Sequence, residues 1–248
     1  MPDLFPTKSS QPIFIIGSSR SGTSILASVL GSSPDLCHFT EHPLVHRHML
    51  SMVAHPQDIK QELFKLRKTM MSQSGVTYGQ RILEKTPPNS LIAKHIADNI
   101  VDAKFVHIIR DGRDVAFSML NHGWVSQELK ADVNYWSKLL PKKFQLEWLK
   151  ADLWERGVIR WALFVSKAQK VSCYGNRYWE IRYEKLCQNP HQNIAEILSF
   201  LEIPLFPGWQ ESSAQIKLSN NNWANKGLTQ KQLKFYRRIV DEFDLPLN

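Results

Sequence analysis

The chain is 248 residues long, with 43% hydrophobic and 22% charged residues, a composition that allows a sizeable core and excludes a disordered or collagen-like chain. Its 31 Lys and Arg against 23 Asp and Glu leave a formal net charge of +8. That excess suits an anionic ligand, and without a long basic run or a base-stacking motif the anion expected is a small molecule, not nucleic acid.

Residues 1–11 read as a polar leader without the charged and apolar blocks of a signal peptide. Ile13–Ile16 has the length and composition of a buried strand. It runs into Gly17-Ser18-Ser19-Arg20-Ser21-Gly22-Thr23-Ser24, a loop of small residues around one arginine, and then into a helix with Ile25, Leu26, Val29 and Leu30 on one face. Gly31-Ser32-Ser33-Pro34 ends that helix. Further strands are predicted at Leu36–Phe39, Arg81–Glu84, Phe105–Ile109 and Tyr178–Arg182, with helical patterns between them. One helix follows Pro87-Pro88 and buries Leu91, Ile92, Ile96 and Ile100. Residues 124–173 form a helical block carrying Trp124, Trp136, Trp148, Trp154 and Trp161, with helical period over Leu149–Phe164. Most of those rings are expected in the core, and a minority facing a substrate. Leu205–Ala224 reads as loop and Thr229–Phe243 as the last helix. Strands alternating with helices predict a three-layer α/β/α fold around a parallel sheet of about five strands, like that of the P-loop NTPases, with a Trp-rich helical insert.

Cys37, Cys173 and Cys187 are too few and too widely spaced for a disulfide framework. No apolar run of about 18 residues is present to span a membrane. The expectation is one domain over residues 1–248, cytoplasmic, with homo-oligomerisation left open.

Two stretches carry chemistry. The first is the loop at 17–24: small residues bring backbone N–H groups and a helix N-terminus onto a terminal phosphate. It departs from the NTPase motif, since Thr23 stands where that motif has lysine, and the cation lies inside the loop at Arg20. The second is Phe105 to Ser118. A buried strand delivers Arg110 at its carboxyl end, Asp111-Gly112 turns the chain, and Ser118 follows on a helix. Arginine and hydroxyl there can share a second phosphate, because ligands of open α/β sheets bind at the carboxyl ends of strands. A purely structural arginine is the competing reading of Arg110.

Together these stretches resemble the two nucleotide-binding signatures of sulfotransferases that use 3′-phosphoadenosine 5′-phosphosulfate (PAPS). The matching residues are Ser19-Arg20-Ser21-Gly22-Thr23-Ser24, with Ser19 in place of the family's proline, and Arg110 through Ser118. Ile181-Arg182-Tyr183-Glu184-Lys185-Leu186 resembles a third family segment. The resemblance implies that Arg20 and the backbone of Ser21, Gly22, Thr23 and Ser24 hold the 5′-phosphosulfate. It implies that Arg110 and Ser118 hold the 3′-phosphate, that Tyr183 packs near the adenine, and that Lys217, with Trp223 behind it, lies where a late basic loop closes. The product would be the bisphosphate PAP. Lys85, in Lys85-Thr86-Pro87, takes the place of the lysine that contacts the leaving oxygen. Pro87 stands where cytosolic members have their histidine base. Glu41, after the second strand, therefore takes the base role seen in bacterial and tyrosylprotein members; its competing role is to cap the helix near Pro43.

A sulfuryl group carries less charge than a γ-phosphoryl group, so positioning and cations suffice and no metal is expected. A metal site at Glu41, His42, His46 and His48 is disfavoured by Pro43, His107 is expected in the core, and His38 is a second-choice base. The acceptor expected is a small molecule, glycan or lipid presenting a hydroxyl or an amine. The rival readings are a P-loop nucleotide kinase and a catalytically silent nucleotide- or glycan-binding module.

Overall fold

The computed structural model describes residues 11–77, 79–131, 136–218 and 227–245. The described residues form five parallel strands in the order β2-β3-β1-β4-β5: β1 (Ile13–Ile16), β2 (Leu36–Thr40), β3 (Arg81–Lys85), β4 (Lys104–Ile109) and β5 (Tyr178–Arg182). β1, β3 and β4 are buried along their whole length, as parallel strands covered by helices on both faces must be. The predicted strands stand within one residue of those observed.

The two faces of β1 seed two cores. Ile13 and Ile15 pack with Leu26, Ala27, Val29 and Leu30 of α1 (Thr23–Leu30) and with Ile194, Ile197 and Leu198 of α10 (Pro190–Leu201). Phe14 and Ile16 face α2 (Pro43–Ala54), α3 (Ile59–Gln73) and α4 (Ala93–Asn99). A third core belongs to the insert: α5 (Gly112–Leu120), α6 (Gly123–Lys130), α7 (Lys142–Lys150), α8 (Leu153–Gln169) and the final helix α12 (Gln230–Glu242). The short α9 (Tyr183–Gln188) and α11 (Trp209–Ser213) complete the described helices.

Three expectations change in detail. The period over Leu149–Phe164 is broken between α7 and α8, where Asp152 and Glu155 form a capping box that starts a new helix. The stretch Leu205–Ala224 contains α11, which Gly208 opens in a left-handed conformation (φ 83°) that only glycine adopts readily. The helix after Pro87-Pro88 begins as a 3₁₀ turn, Pro87–Ile92, before α4, yet Leu91, Ile92, Ile96 and Ile100 are all buried. Residues 1–10 and Trp223 lie outside the described residues.

β1 has β3 on one side and β4 on the other. The chain leaves β1 for a helix on one face and leaves β4 for the insert on the opposite face. This reversal opens a crevice at the carboxyl ends of β1 and β4, the position at which open α/β sheets bind ligands. The insert braces that crevice. The Trp161 indole N–H donates to the Arg110 carbonyl at 3.0 Å, and Gly112 admits the ring: a Cβ there would lie 2.4–2.7 Å from three Trp161 atoms. Gly112→Ala should therefore force the buried indole aside and cost about 1–3 kcal/mol, read as a lowered thermal midpoint; an unchanged midpoint would show that the ring is not close-packed on the turn.

Candidate active site

The loop after β1 is shaped for an anion. Gly22 is the left-handed N-cap of α1 (φ 94°) and supplies no capping side chain, and the first turn holds no acidic residue. The helix N-terminus is left with free N–H groups and the positive end of its dipole. Gly22 is also sterically required, since a Cβ would lie 2.6 Å from the Tyr183 ring. Arg20 adopts φ 71°, which a residue with a side chain rarely takes. Its Nε donates to the Ser118 hydroxyl at 3.1 Å, and its carbonyl accepts from Arg110 Nη1 at 3.3 Å.

Arg20 and Arg110 therefore belong to one cleft. Arg110 is buried, its guanidinium lies 4.7 Å over the Tyr183 ring, and Asp114 stands 3.6 Å away. Partial desolvation, and then the charge of Arg110, hold the Arg20 pKa below its ordinary value. A cavity of about 440 Å³ joins the two arginines, lined by Gly22, Thr23, Ser24, Ser118 and Tyr183, and also by Ile25, Phe117 and Asn121. Lys217 meets this site through its backbone: its carbonyl accepts from the Tyr183 hydroxyl at 3.0 Å, while the residue is exposed and does not line the cavity.

A second, smaller cavity of about 100 Å³ lies against the first. Ser19, Arg20, Thr23, Ser24, Glu41, Pro87, His122, Trp124 and Val125 line it. Glu41 reaches it from a left-handed backbone (φ 46°) just past β2. Its N–H donates to the Lys85 carbonyl at 3.0 Å, extending the β2–β3 ladder in which Thr40 pairs Lys85. The buried Lys85 ammonium donates to Glu41 Oε1 at 2.5 Å and to the Ser24 hydroxyl at 3.0 Å. It ties β3, the end of β2 and α1 together. Glu41 does not cap α2: that N-cap is His42, whose Nδ1 accepts from the Leu44 N–H at 3.3 Å.

Among the other histidines, His46 has a buried Nε2 without a hydrogen-bond partner. His48 bonds Glu62 at 2.9 Å and Thr69 at 3.1 Å. His107 is fully buried and meets the Tyr178 hydroxyl at 2.7 Å. Among the described residues no three His, Cys, Asp or Glu side chains converge as a metal site would need. Four of the five tryptophans of the insert are buried, and Trp124 alone of them is exposed. The residue missing from the sequence-based reading is His122. It lies two residues past the end of α5, in extended backbone at the N-cap of α6, where no helical period marks it.

Comparison with known proteins agrees with this architecture. The sulfotransferase family model matches residues 12–208, and the chain belongs to that family. The sulfotransferase domain of the curacin biosynthetic pathway superposes with a TM-score of 0.61 at 16% identity, over 98% of this chain and 100% of that one. A mouse sulfotransferase complexed with PAP superposes with a TM-score of 0.53 at 16% identity, over 94% of this chain and 84% of the other. An uncharacterised Aquifex aeolicus protein is 21% identical over 93% of this chain, which spans 31% of that protein's length.

Beneath the second cavity, Glu84 is fully buried and accepts from the Thr86 hydroxyl at 2.5 Å and the Asn89 amide at 2.6 Å. It fixes the turn that carries Pro87. Burial pushes its pKa up to about 7, against these two hydrogen bonds, which pull it down. In the unfolded chain the group ionises at the ordinary carboxylate value. Its contribution to stability is thus full below that value and is lost as pH rises through about 7. Urea unfolding of wild type and Glu84→Gln from about pH 5 to pH 8 should show wild type losing stability relative to the variant as pH rises; parallel profiles would mean that Glu84 titrates normally.

Proposed function

We propose that this chain transfers a sulfuryl group from PAPS to a hydroxyl, or less favourably an amine, of a small-molecule, glycan or lipid acceptor. The observation that carries the reading is the shared wall: Arg20, Thr23 and Ser24 line both cavities, so a donor in the larger presents its reacting end to an acceptor in the smaller. The mouse relative that holds PAP supports the choice of donor.

The residues fit such a donor. Ser19 Oγ, Ser21 Oγ and Arg110 Nε are buried without a partner, and buried polar groups of this kind are costly unless a ligand satisfies them. Two guanidiniums in one cleft repel until anions separate them. Arg20 and the backbone of Ser21–Ser24, with the Ser21 N–H closing the loop on the Ser18 carbonyl at 3.2 Å, would hold the 5′ end, and Arg110 and Ser118 the 3′-phosphate. Tyr183, pinned by the Lys217 carbonyl, would offer the adenine an aromatic neighbour. The donor supplies the sulfuryl group itself. Glu41 Oε accepts the proton of the acceptor hydroxyl as its oxygen bonds to sulfur, the bond from sulfur to the bridging oxygen of the donor breaks, and PAP leaves with that oxygen; Lys85 and Arg20 offset charge on the bridging and terminal oxygens.

Titration calorimetry with PAP tests the site. Arg20→Ala and Arg110→Ala should each weaken binding about 10- to 100-fold, the loss of charged hydrogen bonds worth about 1.5–3 kcal/mol. Glu41→Gln should keep PAP binding and lower transfer about 10²- to 10⁴-fold. Unweakened PAP binding in both arginine variants, or Mg-dependent ATP turnover by wild type, would overturn the assignment.

A further inference from the structure

The helices α7 and α12 carry a surface that the transfer chemistry does not use. Lys143 pairs with Glu242, Glu147 with Arg238, and Glu155 at the start of α8 with Lys231 at 3.7 Å. The partners fall along α12 as they rise along α7, so the two helices lie side by side and antiparallel. Their buried faces hold Phe144 and Trp148 of α7 and Tyr236, Ile239 and Val240 of α12. The face of α7 turned away from the core reads Lys142, Leu146, Leu149 and Lys150, at the i, i+4, i+7 and i+8 spacing of one helical stripe. Leu146 is 63% exposed and Leu149 49%. Two protruding leucines on one stripe, rimmed by charge, mark a contact surface.

The charge on this surface is unbalanced. Glu147, Glu155 and Glu242 are engaged by Lys143, Lys231 and Arg238. Lys142, Lys150, Lys234 and Arg237 are exposed and have no ion pair among the described residues; Asp241, exposed on α12, offsets one of these charges. The surface therefore complements a partner that is both anionic and able to take up apolar side chains.

The contour distinguishes two such partners. A shallow groove of about 460 Å³ runs between the helices, lined by Leu146, Ala151 and Phe235 and also by Glu147 and Glu155. An acidic helix laid in it would set its carboxylates against those two, an arrangement that like charges disfavour. An anionic bilayer needs no groove. The leucine tips enter the headgroup boundary while the ammonium and guanidinium groups beside them stay at the level of the phosphates. No residue of α7 or α12 lines either cavity of the active site, so contact at this face occupies none of the site's residues.

We infer that the outer face of α7 and α12 docks this protein on an anionic phospholipid bilayer, with Leu146 and Leu149 inserting and Lys142, Lys150, Lys234 and Arg237 meeting lipid phosphates. The docking is peripheral: no described helix is long and apolar enough to cross a membrane. It does not rest on the sulfotransferase reading.

Co-sedimentation of the full chain with phosphatidylcholine vesicles, with and without phosphatidylserine, tests the docking. Wild type should bind the serine-containing vesicles at least about tenfold more tightly, and added salt should weaken that binding. Lys142→Ala with Lys150→Ala should weaken it about tenfold. Leu146→Ser with Leu149→Ser, at unchanged net charge, should also weaken it about tenfold. Lys60→Ala with Lys68→Ala removes the same charge from the exposed side of α3 and should weaken it by less than about threefold. Thermal midpoints equal to wild type show that the exposed substitutions leave the fold intact. Equal binding to both kinds of vesicle, or an equal loss in the α3 variant, would overturn the inference. Full binding by the leucine variant would overturn it as well, because the face would then answer to charge alone, as an acidic protein partner would require.

Discussion

The structure depends on holding two arginines together before any anion arrives. Arg20 sits in the loop after β1 and Arg110 at the end of β4, and the guanidinium of Arg110 donates to the Arg20 carbonyl at 3.3 Å. The two like charges share one cleft and repel, more strongly as water is excluded. The fold resists the repulsion with the Asp114 carboxylate, 3.6 Å from Arg110, and with neutral and backbone contacts. Trp161 fixes the Arg110 carbonyl, Tyr183 lies under the Arg110 guanidinium, and Ser118 takes the Arg20 Nε. Each partner arises from a different element, so the cleft is set by the whole sheet and its insert, not by a local turn. An anion there finds an environment already oriented, with little left to reorganise on binding.

Backbone strain follows the same logic. Among the described residues four non-glycine residues take positive φ: Arg20, Glu41, Glu202 and Asp244. Two of them carry the side chains that face the cavities. Such a conformation costs of order 1 kcal/mol and persists only where neighbours over-determine it. For Glu41 those neighbours are the ladder bond to the Lys85 carbonyl and the ion pair to the Lys85 ammonium. Main chain and side chain of one lysine thus hold a strained carboxylate from both ends. Glycine at either position would relax the backbone and remove a side chain that lines the cavities.

Legibility in the sequence followed the range of the interactions. The central strands were readable because fully buried parallel strands are continuous apolar runs, and the loop after β1 because small residues between a strand and a helix are the pattern that close approach of an anion requires. Arg20, Arg110 and Ser118 were readable because they sit at fixed offsets from strand ends. The helix break at Ala151 was missed because Asp152 and Glu155 act as a cap, a local signal hidden within an unbroken hydrophobic period. The N-cap of α2 lay one residue past Glu41, at His42. His122 escaped because its meaning comes from tertiary placement: only once α5 has packed on α8 does the residue beyond the helix end face Glu41.

The tryptophans show the same limit from within one segment. By composition, five rings in the insert look equivalent. In the fold, Trp161 is 2% exposed and buttresses the Arg110 turn, Trp148 is 1% exposed and donates to the Ala131 carbonyl, and Trp124 is 49% exposed. The difference is helical phase. Trp148, Trp154 and Trp161 lie on faces that α7 and α8 turn toward the core, whereas Trp124 lies in the first turn of α6 beside the cavity. The insert therefore performs two separable tasks. Its buried rings include Trp161, which sets the position of Arg110 at the end of β4. Its exposed ring lines the smaller cavity and not the larger, so a change at Trp124 leaves the lining of the anion cleft intact. A fold arranged in this way can keep one donor site while changing the molecule that receives the sulfuryl group.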